Sequence, residues 1–149
     1  MQSDIQFSAD PATQQFCLSR LHLWCTTNLP ERKIQQELEG RRWRPPQRLL
    51  LVISEKDPLG TLEGFLAAYL IGAHMRIKAR DSRDWLESLR QALGLSEEEC
   101  EIEDWQSHQQ DDQRLLQGID AVLLAGGEAL IKHYREITPA HIRLIELGP

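Results

Sequence analysis

The sequence predicts an α/β domain: an open, mostly parallel five-stranded sheet with helices on both faces, preceded by an N-terminal helical lead-in. Three observations point there. Residues 49–53 (LLLVI) and 119–125 (IDAVLLA) are short apolar runs of strand length. A run without polar alternation suits a strand buried on both faces, as in a parallel sheet. Segments with helical spacing separate five strand-like segments, and strict alternation of this kind indicates crossover connections and a parallel sheet. Glycines stand at the ends of the helical segments, at Gly72, Gly94 and Gly118, where a helix commonly turns into a left-handed residue.

Residues 1–47 read as the lead-in. Residues 1–9 are expected to form a loose arm. Asp10-Pro11 reads as a helix start, with Asp as the cap and Pro at the first helical position. Phe16, Cys17, Leu21, Trp24 and Cys25 then recur at helical spacing, and Asn28 breaks the pattern. That spacing puts Cys17 and Cys25 on similar sides and predicts buried thiols acting as small hydrophobes. Pro30 opens a second helix with Ile34 and Leu38 inward, closed by Gly40. In RRWRPPQR, residues 41–48, four arginines surround Trp43 and a proline pair. Two readings stand: a solvated linker with Trp43 tucked against the core, or an anion patch for a phosphate-bearing ligand or nucleic acid.

Residues 48–149 carry the sheet. After the strand at 49–53, Asp57, Pro58 and Gly60 punctuate a turn. Residues 62–71 are apolar nearly all round, which predicts a helix packed deep in the domain. Residues 75–78 make a second short strand that ends on Lys78, so strand, helix and parallel strand form one right-handed unit. Asp81 or Ser82 caps a helix with Trp85, Leu86, Leu89, Ala92 and Leu93 on one face. Residues 96–104 (SEEECEIED) are acidic, and Cys100 and Ile102 alternate with Glu101 and Glu103 as in a half-exposed strand. A short helix is expected at 111–117. Gly126-Gly127 follows the strand at 119–125 and turns directly into the helix EALIKHYREI. Lys132, His133 and Arg135 lie in its later turns, where the macrodipole favours cations. After Thr138-Pro139, residues 141–147 alternate as the last strand. The arrangement is Rossmann-like.

Several function classes are disfavoured. A chain of 149 residues fits one domain of ordinary size, and its net charge of −6 argues against general nucleic-acid binding. The polar N-terminus is no signal peptide, and no apolar run approaches the roughly 20 residues needed to span a bilayer. Three cysteines without a CxxC pair suggest reduced thiols in a cytoplasmic protein. The histidines are scattered, with neither HExxH nor Cys/His metal spacing, so no metal site is expected. No GxSxG marks a hydrolase nucleophile, and the usual phosphate fingerprints GxGxxG and GxxxxGK[ST] are absent.

In such sheets ligands bind outside the carboxyl ends of the strands. Three features collect there: the loop at 54–60, Lys78, and Gly126-Gly127. A glycine pair opening a helix exposes backbone N–H groups that favour anions. Together they suggest a nucleotide pocket.

The series Pro58-Leu59, Gly72…Ile77-Lys78, Val122-Leu123-Leu124-Ala125-Gly126-Gly127 and Glu146-Leu147-Gly148-Pro149 resembles the N-terminal half of the aldehyde dehydrogenase superfamily. It looks most like the bacterial, bioluminescence-type fatty acyl-CoA reductases. The resemblance covers residues 48–149 and implies an oxidoreductase with NADP or NAD as cofactor and acyl-CoA or another acyl thioester as substrate. It implies that Lys78 contacts the adenosine ribose or its 2′-phosphate. Gly126 would lie near the adenine and pyrophosphate, with Gly127 where the family usually has serine. Pro58 closes the family's Asn-x-Pro segment, and Glu146 matches a glutamate that acts as general base or positions water. Lys56 stands where the family's asparagine amide supports the oxyanion, and would act there by charge. The family's nucleophilic cysteine lies in a later domain, and none of Cys17, Cys25 or Cys100 matches it. Ending on Gly148-Pro149 reads as a cut in a longer enzyme, which would leave an apolar surface exposed. Self-association is compatible with this reading. The alternatives are a non-catalytic nucleotide-sensing or protein-interaction α/β module, and an unrelated receiver-like domain. The latter needs an acidic cluster at the strand ends, where only Asp57 is close.

Overall fold

Five strand-like segments of the sequence form five parallel strands of one sheet. The computed structural model describes residues 5–7, 9–54, 56–104 and 109–147. In chain order its elements are α1 (Pro11–Thr26), α2 (Leu29–Leu38), β1 (Arg48–Ile53), α3 (Pro58–Leu70), β2 (His74–Ala79), α4 (Arg83–Ala92), β3 (Cys100–Asp104), α5 (Gln109–Leu115), β4 (Ala121–Ala125), α6 (Glu128–Ile137) and β5 (Arg143–Leu147). The strand order is β3-β2-β1-β4-β5, with all neighbours parallel. The chain builds outward from β1 to β3, then returns to place β4 on the other side of β1. Strand order therefore reverses between β1 and β4, and such a switch point opens a crevice above the carboxyl ends. The architecture is the open Rossmann-like α/β sheet expected from sequence.

The two faces carry separate cores. Leu49 and Leu51 of β1 pack with α1, α3 and α4, whereas Leu50 and Val52 pack with α5 and α6. Both faces of β1 are therefore covered, which is why its sequence shows no alternation. β2 does alternate. Met75, Ile77 and Ala79 are buried on the α3–α4 side, while Arg76 and Lys78 reach toward α5 and α6 on the other. Two cations thus enter a covered layer, where each needs a partner. Arg76 finds Glu101 and the carbonyls of Leu115 and Gln117.

α3 begins at Pro58, before the apolar run itself, because Asp57 caps it: the carboxylate accepts the Gly60 amide at 2.9 Å. Gly64 lets this helix lie close on β1, since a Cβ there would fall 2.6 Å from Ile53 Cδ1. Gly72 closes the segment at φ +70°, a backbone region that disfavours residues with a Cβ. No described helix is long and apolar enough to cross a membrane.

The lead-in departs from expectation in four places. Ile5 and Phe7 are buried, and the Phe7 ring centroid lies 4.8 Å from that of Trp85. Ile5 and Phe7 are therefore core, not part of a loose arm, while residues 1–4 and 8 fall outside the described ones. Cys17 is buried but Cys25 is exposed: eight residues at about 100° each leave the two about 80° apart around the helix. Phe16, one step from Cys17, is 56% exposed. Trp43 is 43% exposed rather than tucked against the core, and Arg41, Arg42 and Arg44 beside it are exposed as well.

Candidate functional site: a cationic cleft at the carboxyl edge

The carboxyl ends of β1 and β2 frame a cleft of about 320 Å³. Ser54 and Lys56 come from the loop after β1, Lys78 from the end of β2, Arg80 and Asp81 from just beyond it, and Leu130 from α6. Among the described residues three cations thus face one carboxylate, Asp81, which lies 3.5 Å from Arg80 Nε, in a chain whose net charge is −6. Local charge of this kind attracts anions whatever the global balance. The volume lies near the small end of the range for ligand pockets, so it suits one phosphate-bearing half of a dinucleotide rather than the whole.

The glycine pair adjoins this cleft. Ser54 donates its amide to the Ala125 carbonyl at 2.9 Å, which ties the β1 and β4 exits together. A Cβ on Gly126 would lie 2.7 Å from Leu130 Cδ2 and 3.7 Å from Ser54 Cβ, so this glycine belongs to the packed wall. Gly127 caps α6, and a Cβ there would meet nothing within 4 Å. The first amides of α6 have no partner within the helix. Glu128 already supplies a carboxylate to that first turn, so this terminus attracts anions less than a bare glycine turn would.

Lys78 reaches the cleft with its charge already matched. Its Nζ lies 2.7 Å from Asp112 Oδ1, and the two side chains are 9% and 6% exposed. The Tyr134 hydroxyl donates to the same oxygen at 2.8 Å, and His133 Nε2 lies 2.9 Å from Oδ2. A carboxylate only accepts, so Nε2 carries the proton in this arrangement. Burial works to raise the Asp112 carboxyl, but the hydrogen bonds from Lys78, Tyr134 and His133 outweigh it and hold it below the usual value. The Tyr134 hydroxyl is pushed far up by burial and by Asp112. It is therefore a fixed donor, not an acid-base group.

Of the other expected residues, Lys56 joins the cleft, whereas Pro58 and Glu146 do not. Lys56 is exposed on the cleft rim. Pro58 is buried in the first turn of α3, so it shapes the loop and offers no surface. Glu146 lies on the edge strand β5, three strand spacings from Lys78, or roughly 14 Å. Arg135 holds it from α6, with Nε 2.7 Å from Oε1. That hydrogen bond lowers the Glu146 carboxyl most, burial opposes it, and the Arg135 charge lowers it further, so it lies below the usual value. A carboxylate held this way is a weak base. No cysteine lines the cleft. Burial raises the Cys17 thiol and pushes Cys100 up to about 12, so neither rests as a thiolate.

Sequence reading missed Asp112 and Tyr134 as partners of Lys78. A signal existed: Asp112, Leu115 and Leu116 sit at i, i+3 and i+4, and Tyr134 lies three residues after Ile131, each on the inward face of its helix. A larger cavity, about 700 Å³, lies between α1 and α4. Among the described residues its lining includes Leu18, Leu21, Cys25 and Leu93 but no Lys, Arg, Asp or Glu, so these lack the chemistry of the cleft.

No family model matches the chain, and no curated protein does.

Proposed function

We propose that the cleft binds the phosphate-bearing half of NADP or NAD, and that the chain is the cofactor-binding portion of an acyl-CoA reductase converting fatty acyl thioesters to aldehydes. The convergence of Lys56, Lys78, Arg80 and the glycine pair on one rim beside the switch point supports the binding half of this reading. The motif series from Pro58 to Glu146 supports the reductase half. The cofactor, when bound, supplies the hydride for the reduction. The chain's own residues bind and orient it. Lys56 and Arg80 draw in the phosphates, Lys78 donates to the ribose or its phosphate, and Leu130 supplies an apolar wall. A nucleotide-sensing module without catalysis is the second reading, favoured by Lys56 standing where the resembling family has its asparagine.

Titration calorimetry of the chain with NADPH and with NADH tests the binding claim. Saturable binding is expected, and Lys56→Ala with Arg80→Ala should weaken it roughly tenfold to a hundredfold, the worth of one charge-assisted hydrogen bond or more. Absence of binding, or a double variant with wild-type affinity, would remove the cleft from consideration. Thioester-dependent oxidation of NADPH by a longer protein that contains this chain separates the reductase from the sensor.

A further inference from the structure

Lys78 belongs to two structures at once. It lines the cleft, and it is one member of a quartet with Asp112, His133 and Tyr134. We infer that Asp112 is a specificity-determining counter-ion. It offsets the Lys78 charge from behind the cleft wall, as Asp81, 3.5 Å from Arg80 Nε, offsets part of the Arg80 charge, so that Lys56 supplies most of the net attraction for an anion and Lys78 acts chiefly as a hydrogen-bond donor. The inference rests on the cleft being the phosphate site.

Geometry sets the size of the effect. A phosphate oxygen donated to by Lys78 would sit about 3 Å from its nitrogen. Asp112 Oδ1 lies 2.7 Å from the same nitrogen, so its charge falls about 6 Å from the phosphate. Coulomb energy scales inversely with distance, so the carboxylate cancels about half of the lysine's attraction at contact and nearly all of it farther out. At effective dielectric constants of about 20 to 80, deleting that one charge should tighten binding roughly threefold to a hundredfold for each ligand charge placed there. A 2′-phosphate feels this more than a 2′-hydroxyl. Asp112 therefore biases the site against the more highly charged cofactor.

Asp112→Asn tests this, because the amide keeps an acceptor for Lys78 and Tyr134 while losing the charge. Binding of NADPH and of NADH is measured by calorimetry on the whole chain, with circular dichroism to establish folding. NADPH should bind at least threefold tighter to the variant, and its gain should exceed that of NADH. Unchanged or weaker NADPH binding to the folded variant, or equal gains for the two cofactors, would overturn the inference. Should Asp112→Asn not fold, Lys78→Met with Asp112→Leu removes a pair that is neutral overall. A loss of NADPH affinity smaller than about tenfold is then expected, and a larger loss overturns the proposal. If the wild-type chain binds neither cofactor, the phosphate-site reading fails and takes this one with it. Wild-type binding with no gain in Asp112→Asn sinks the counter-ion alone.

Discussion

Replacing Asp112 by Ala should be among the most damaging single changes available to this fold. The carboxylate receives Lys78, Tyr134 and His133, and both Asp112 and the Lys78 side chain are nearly removed from solvent. Deleting one partner of a buried ion pair typically costs about 3–5 kcal/mol. The orphaned hydroxyl of Tyr134, a fully buried residue, would add about 1–3 kcal/mol by itself. These losses share one carboxylate and do not sum. Lys78 borders the cleft and can turn its ammonium toward water, so about 3–4 kcal/mol is the expected total. Urea unfolding followed by circular dichroism measures it. Lys78→Met with Asp112→Leu should cost less, about 1–3 kcal/mol, because it strands no charge and leaves the buried Tyr134 hydroxyl as the main group without an acceptor. A cost below about 1 kcal/mol for Asp112→Ala, or a double variant as unstable as the single, would refute the reasoning. The pH dependence has a definite sign. The Asp112 carboxyl titrates lower in the folded chain than unfolded, so its stabilisation is complete above about pH 4 and is lost as pH falls through the folded value. The stability gap between wild type and Asp112→Asn should narrow over that range and stay constant above it.

Other outcomes test the rest of the account. Phe7→Ala should cost about 3–5 kcal/mol in the same urea assay, as for other buried aromatics; a cost near zero would restore the loose arm. Asp57→Ala should cost about 1 kcal/mol and Asp57→Asn much less, because an asparagine still caps α3; equal costs would mean that the cap bond to Gly60 is unimportant. Iodoacetamide should label Cys25 alone in the native chain by mass spectrometry, with Cys17 and Cys100 reacting only after unfolding. Rapid native labelling of Cys100 would contradict its burial.

Much of the fold was legible because burial wrote it into the residue pattern. β1 and β4 are covered on both faces, so LLLVI and AVLLA are uniformly apolar. The glycines at 72, 94 and 118 mark helix ends with positive φ. The N-terminal segment was harder. Ile5 and Phe7 are two apolar residues in a polar stretch, too few to show a period, yet Phe7 packs on Trp85. Cys25 was misplaced because a rule of similar sides fails over eight residues, where the helical drift is already large. For the site, strand topology was sufficient to gather Lys56, Lys78 and Gly126 along one edge. It could not reveal that Lys78 faces α5 and α6 with Asp112 waiting there, because that pairing spans 34 positions of chain. Nor could the motif at 146–147 show that Arg135 holds Glu146 on an edge strand well away from the cleft.

Backbone amide shifts followed by two-dimensional NMR during a titration with NADPH test the central claim most directly. The account predicts saturable shifts at Ser54, Lys56, Ala79, Arg80, Gly126 and Gly127, with the amino-terminal ends of the strands, around Gln47 and Ser96, left quiet. Shifts that gathered instead along α1 and α4, at Leu18, Cys25 and Leu93, or none that saturated by millimolar cofactor, would contradict it.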